Sequence, residues 1–225
     1  MKFHVKRLLS VFIACAFISF VHSQGSIVLR DAPFIVETEK DASIQQWLDS
    51  NAFYKKLSPD QQESIYWINY IRKYPKLFHD KILIPFLEQF PEAKSAYSKS
   101  LSATLISMSP VGLLIPDENL TKVAIEHATD LGKHGAGISH SSTSGSSFQE
   151  RMNKAGYFSN VAENIYEGKR SSLEALIFLL IDTGVKSVGH RKNILSIEMK
   201  RVGLSFYPIK GRPGMFFLVQ DFSGE

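Results

Sequence analysis

The stretch SVGHRKNIL, residues 187–195, places His190 directly after Gly189 and before two cations, Arg191 and Lys192. Neighbouring cations disfavour a protonated imidazole, so the stretch reads as a setting for a neutral histidine. Gly189 has no Cβ and lets the backbone bring the ring close to another element. A second histidine, His140, interrupts the polar segment GAGISHSSTSGSS, where its side chain is open to a ligand. Glu163 lies in AENI, an acid flanked by apolar residues. A half-buried acid needs a cation, a donor or a metal beside it. Two neutral imidazoles and one carboxylate are the ligand set of an open zinc site that keeps water in its fourth position. Spacing alone does not bring these three residues together. His79, His127 and His134 have plainer readings: His79 as partly exposed on a helix, the other two as surface or hydrogen-bonded packing on one helix face. The chain has no HExxH pattern. Ser139 and Ser141 adjoin His140, but sequence neighbours rarely face each other as nucleophile and base, and no nucleophile elbow is present.

These candidates need elements to position them. Residues 24–57 read as a lead-in with one helical piece around SIQQWLDSNAFYKKL. Ser58 and Pro59 then start a helix as cap and first residue, and its apolar stripe of Ile65, Ile68 and Ile71 ends near Tyr74 and Pro75. A second amphipathic stretch, KLFHDKILIPFLEQF, is expected to kink or break at Pro85. A third helix covers roughly 91–107. Asp117 caps a strong helix, ENLTKVAIEHATDLGKHG, with Leu120, Val123, Ala124, Ala128 and Leu131 on one face. After the Gly/Ser-rich loop come a short helix, FQERMNKAGY, a short segment, VAENIYEG, and a nearly all-apolar helix, SSLEALIFLLID. VGLSFYP and MFFLVQDF are β-rich and joined by IKGRPG, which reads as a hairpin. Helices followed by a terminal hairpin predict an α+β domain with helices packed on a small sheet.

The N-terminus carries an address. MKFHVKR is cationic, LLSVFIACAFISFV is an apolar run of fourteen residues, and VHSQ supplies a small residue at a cleavage point before Gln24. Together these describe a secretory signal peptide over 1–23, because the run is shorter than the ~20 residues of a spanning helix. Its removal takes away the single cysteine, Cys15, and with it any thiolate nucleophile or cysteine-ligated zinc. It also takes three cations, so 26 Lys and Arg against 22 Asp and Glu become 23 against 22. The basic pI therefore belongs largely to the signal, and nothing electrostatic calls for a nucleic-acid partner. An exported chain without disulfides fits a bacterial setting better than an animal secretion.

In chain order, ISHSSTSGSSFQERMNKAGY, AENIYEG, GHRKNIL and RVGLSFYP resemble the bacterial, SCP-like branch of the CAP superfamily. That superfamily holds the cysteine-rich secretory proteins, antigen 5 and the plant pathogenesis-related proteins. IYWINYIRKYP resembles its first helix and LLIPDENLTKVAIEHATDL its second, so the resemblance covers 58–225. It implies a three-layer α-β-α sandwich with a central antiparallel sheet. It also implies a cleft in which two histidines and two acids hold a divalent metal such as zinc in several members. Carried over by motif, these are His140, Glu163 and His190. The fourth is an acid near the end of the helix before GHR, which makes Asp182 the candidate, with Glu174 two turns earlier as the alternative. The family's Trp-Tyr-x-Glu pattern is replaced here by Leu179-Leu180-Ile181-Asp182, which implies a weaker site. Residues 75–112 are extra helical material relative to compact members, expected to add core or to lid the cleft.

Three functions follow as expectations: a secreted module that binds a divalent metal or small ligand; a hydrolase in which Glu163 or a histidine activates water; and an interaction protein with a vestigial cleft. Binding is favoured over turnover, because the available donors are only Arg191, Asn193, Asn164 and the Gly/Ser loop. The partner is a small ligand, lipid or protein of unread identity, and the mature chain contains no transmembrane segment. An alternative keeps GHRKNIL for packing, with Arg191 paired to an acid such as Glu163.

Overall fold

Alternation of apolar residues over 201–223 builds the centre of the molecule, a hairpin of two strands. The computed structural model describes residues 32–36, 39–169 and 171–225, so the expected signal peptide lies outside the described residues. Strands β3 (Arg201–Pro208) and β4 (Met215–Ser223) pair antiparallel. Two further strands complete the sheet: β1 (Ile115–Pro116), parallel to β3, and β2 (Val161–Lys169), antiparallel to β4. The order is β1-β3-β4-β2, which leaves β2 as an edge strand. VAENIYEG is thus a strand, which its sequence did not declare, because a polar Glu-Asn pair interrupts its apolar character.

Side chains alternate between the faces. Val219 and Phe217 of β4 and Ile165 of β2 face α6 (Glu118–His134). Leu218 and Phe222 of β4 and Val202 and Leu204 of β3 face the other way, into the larger core. That core is built by α1 (Ala42–Asp49), α2 (Pro59–Lys73), α3 (Pro75–Phe78), α4 (Ile84–Gln89), α5 (Ala96–Ser107), α8 (Ser172–Ile181) and α9 (Gly189–Leu195). The short α7 (Phe148–Lys154) packs on α6. The result is the three-layer α-β-α arrangement expected from the sequence.

Local chemistry sets the helix ends. Ser58 and Gln61 form a capping box with Pro59 at the first position, Asp117 accepts from Leu120 N, and Gly135 closes α6 in the left-handed region. Between α3 and α4 the chain makes a π-helical turn, His79–Leu83. The break therefore falls before Pro85, which stands in the first turn of α4, where its missing N–H costs nothing. Residues 75–112 add core: Phe78, Ile82, Phe86, Phe90 and Leu101 are buried in one cluster with α2 and α8. The fully buried Arg72 of α2 binds the end of this material to α9 and to the segment that leads into β3, donating to the carbonyls of Gly112, Ile194, Ser196 and Met199. Among the described residues no helix is long and apolar enough to cross a membrane.

Helix α6 crosses β3 in near-backbone contact at Gly203. A Cβ there would lie 2.1 Å from Thr121 N and 2.2 Å from Leu120 C. Gly203→Ala is therefore expected to force α6 off the sheet and cost about 1–3 kcal/mol, the usual range for overpacking. Urea unfolding of the two proteins checks this, and an unchanged midpoint would show that the two elements separate freely.

Candidate functional site

Glu163 organises one side of the site. Its position on β2 turns it toward α6, and its side chain is 1% exposed. Oε1 pairs with His140 Nδ1 at 2.8 Å, and Oε2 accepts from Arg151 Nη2 at 2.6 Å. A carboxylate only accepts, so Nδ1 of His140 carries the proton. No hydrogen bond among the described residues engages Nε2 of His140, and half of this side chain is exposed. Arg151 also donates from Nη1 to the carbonyl of His140, so one guanidinium fixes both the acid and the loop.

Behind Glu163 stand two groups that the sequence reading did not assign to the site. His127 is fully buried, with Nε2 2.8 Å from Ser139 O and 4.0 Å from Glu163 Oε2. A carbonyl accepts, so Nε2 holds the proton and the buried Nδ1 is left without a partner. Burial holds the pKa of His127 below the ordinary histidine value. Asp221 lies opposite Glu163 in the β2–β4 register and is completely buried. Burial first, and the Glu163 charge second, push its pKa well above the ordinary carboxylate value, which favours the protonated form of Asp221 beside Glu163; neither of its carboxyl oxygens has a hydrogen-bond partner among the described residues. Period two over MFFLVQDF sets Asp221 on the face of Phe217 and Val219, an acid in an apolar row; that was the signal available in the sequence.

Asp182 organises the other side. It ends α8 in the left-handed region at φ 60°. Oδ1 lies 2.7 Å from His190 Nδ1, and Oδ2 accepts from His190 N at 3.0 Å. The acid thus orients the ring and satisfies an N–H in the first turn of α9. No hydrogen bond among the described residues engages Nε2 of His190. Glu174, the alternative acid, is at the opposite end of α8 and accepts from Phe34 N.

The cations beside His190 do not act as the sequence suggested. Arg191 is buried and points away, donating to the carbonyls of Leu180, Ile181 and Tyr97 and to Ser100 Oγ. It closes the C-terminus of α8, and the acid at Glu163 belongs to Arg151 instead. The immediate neighbour of the His190 ring is an anion. Asn193 donates to the Asn164 side chain, which in turn donates to His190 O and Gln220 Oε1.

The four expected ligands therefore form two pairs, His140–Glu163 and His190–Asp182, flanking the edge strand β2. Glu163 and Asn164 are consecutive and face opposite sides of the sheet, so one anchors the α6 side and the other the α9 side. Among the described residues no three of His, Cys, Asp and Glu are grouped to hold a metal ion. What the arrangement offers is two oriented imidazoles, each with Nδ1 held by a carboxylate. This is the way metal-ligating histidines are commonly held, and the donor set is two nitrogens rather than four ligands.

The buried acid has a consequence for stability. The unfolded chain gives up the Asp221 proton near 3.8, and burial beside Glu163 makes the folded chain hold it to higher pH. The folded state then binds more protons, so stability is full at low pH and falls as pH rises through that window. The slope from this group reaches at most about 1.4 kcal/mol per pH unit. His127 acts oppositely, its contribution being lost as pH falls below the ordinary histidine value. Asp221→Asn is expected to flatten the decline toward alkaline pH in urea unfolding series. Equal slopes in parent and variant would mean that Asp221 is ionised when folded.

The family model for the CAP, cysteine-rich secretory protein, family matches residues 65–222, more than half of the chain. Among solved structures the chain is similar to an extracellular protein containing an SCP domain from Bacillus anthracis str. Ames. That match has 22% identity and a TM-score of 0.41, and covers 56% of this chain and 38% of that one. An outer surface protein from Borrelia burgdorferi matches at 20% identity and a TM-score of 0.41, over 56% of this chain and 86% of that one. A cysteine-rich secretory protein from Staphylococcus aureus subsp. aureus Mu50 matches at 13% identity and a TM-score of 0.34, over 61% and 40%. The chain thus spans well under half of the first and third of these. No curated protein matches it.

Proposed function

The chain belongs to the cysteine-rich secretory protein (CAP) family, and from that premise we propose that it is an exported binding module presenting His140 and His190 to a divalent metal ion, zinc or one like it. The observation that carries this reading is that each ring has its Nδ1 held by a buried carboxylate, Glu163 or Asp182, with Nε2 left for a ligand. Glu163 and Asp182 then act as orienting groups rather than ligands. Water or a small ligand fills the remaining positions, so the affinity is below that of a three-ligand site. Export rests on the N-terminal sequence.

Hydrolysis is the weaker reading. Bound zinc supplies a Lewis acid that can lower the pKa of a coordinated water. The chain's own candidate base, Glu163, is 1% exposed and already serves Arg151 and His140. A carboxylate so engaged is poorly placed to take a proton from water.

Zinc titration by calorimetry tests the proposal. His140→Ala and His190→Ala are each expected to remove measurable binding, and Asp182→Asn to weaken it by about 10–100-fold, as loss of an orienting partner does. Affinity is also expected to fall between neutral and mildly acidic buffer, because protons compete for the same nitrogens. Binding that survives both histidine substitutions, or that ignores pH, would place the metal elsewhere.

A further inference from the structure

Between α6, α7 and the Gly/Ser-rich loop lies a cavity of about 530 Å³. This is within the range of small-molecule sites, roughly 300–1,000 Å³. Its lining mixes the apolar Val123 and Ala155 with the hydroxyl-bearing Ser142 and Ser144 from the loop, and it carries Lys122 and Lys154 against one acid, Glu126, beside Arg151, whose charge Glu163 meets from the other side. None of the imidazoles described above lines it.

Three features make it more than a charged dent. First, the loop is built. Asp130 accepts from Thr143 N at 2.7 Å and from Thr143 Oγ1 at 2.5 Å, and Ser142 N donates to Ser146 O at 2.8 Å. The serine hydroxyls therefore stand on a fixed frame. Second, Arg151 is buried and its Nε–H has no acceptor among the described residues. Buried donors rarely go unpaired, and an exception calls for an ion or ligand. Third, the two lysines are open to recruitment. Among the described residues Lys122 forms a salt bridge with Glu118 alone, an exposed pair at 3.0 Å, and such pairs hold weakly. Lys154 enters no salt bridge among the described residues.

An excess of cations selects an oxyanion, and phosphate suits both lysine and arginine donors. The volume exceeds a phosphate group, and beside the apolar Val123 and Ala155 the rest of the lining offers the Asn119 amide, serine hydroxyls and one carboxylate. These are donors and acceptors for hydroxyl groups on the remainder of the ligand. We propose that this cavity binds a small hydroxylated oxyanion of sugar-phosphate chemistry, its phosphate toward Lys122, Lys154 and Arg151 and its hydroxyls toward Ser142, Ser144 and Glu126. The site goes beyond the metal reading and does not depend on it.

Calorimetry with glucose 6-phosphate, glucose and inorganic phosphate, all in EDTA, tests the assignment on the full chain. Glucose 6-phosphate is expected to bind, inorganic phosphate to bind more weakly, and glucose not to bind. The double variant Lys122→Gln, Lys154→Gln alters exposed side chains and should keep the parent circular dichroism. It is expected to lose about tenfold or more in affinity, as removal of a charge-assisted bond does. His190→Ala should bind as the parent does, which separates this site from the metal reading. Three results would each overturn the proposal: no binding of glucose 6-phosphate at millimolar concentration, undiminished binding by the double variant, or inorganic phosphate binding as tightly as the sugar phosphate.

Discussion

Two carboxyl groups side by side in a dry interior are the constraint around which this molecule is arranged. The β2–β4 register sets Glu163 against Asp221, and two charges so close and so buried cannot both persist. The structure answers with one proton and one cation: burial beside Glu163 pushes Asp221 toward its protonated form, and Arg151 meets Glu163. Much of the α6 side follows from that answer. Arg151 must come from α7, so α7 packs where it does, and its second donor fastens the loop that carries His140. His127, buried beside the same acid, keeps its own proton on Nε2 for Ser139 and so fastens the loop a second time.

The α9 side is held by a different economy. Asp182 alone ends α8, caps α9 and orients His190. The chain between them is tight, with Asp182 at φ 60° and Val188 at φ 46°. A β-branched residue in the left-handed region stores roughly 1–3 kcal/mol of strain, and such strain persists only where surrounding contacts over-determine it. Arg191 supplies part of that determination by closing the α8 carbonyls and reaching α5. The helices of 75–112 are therefore coupled to the turn that presents His190 as well as filling the core.

Much of this was legible in the residues. Capping pairs at Ser58 and Asp117, the left-handed stop at Gly135 and the terminal hairpin are local, and each appears where its sequence signal stood. The SH, AENI and GHR motifs named three residues that the fold sets beside an acid or beside β2. The break near Pro85 was legible too, displaced to a π-helical turn because proline is harmless at a helix start. The role of Arg191 was misread, since its neighbour in sequence is His190 while its partners are carbonyls ten or more residues away.

By itself the sequence determined most of the helices and their caps, the hairpin, the family, and which residues were candidates for chemistry; the helix over GHRKNIL was not among them. These depend on interactions across a few positions or on side-chain type. Only the tertiary structure decided that β2 is an edge strand, that Glu163 and Asn164 serve opposite faces, and that the expected ligands stand as two pairs. It alone brought His127, Arg151 and Asp221 to Glu163. The physical reason is register: which charge neutralises which, and which carbonyl an arginine closes, depends on strands and helices distant in sequence meeting at one residue's offset and no other.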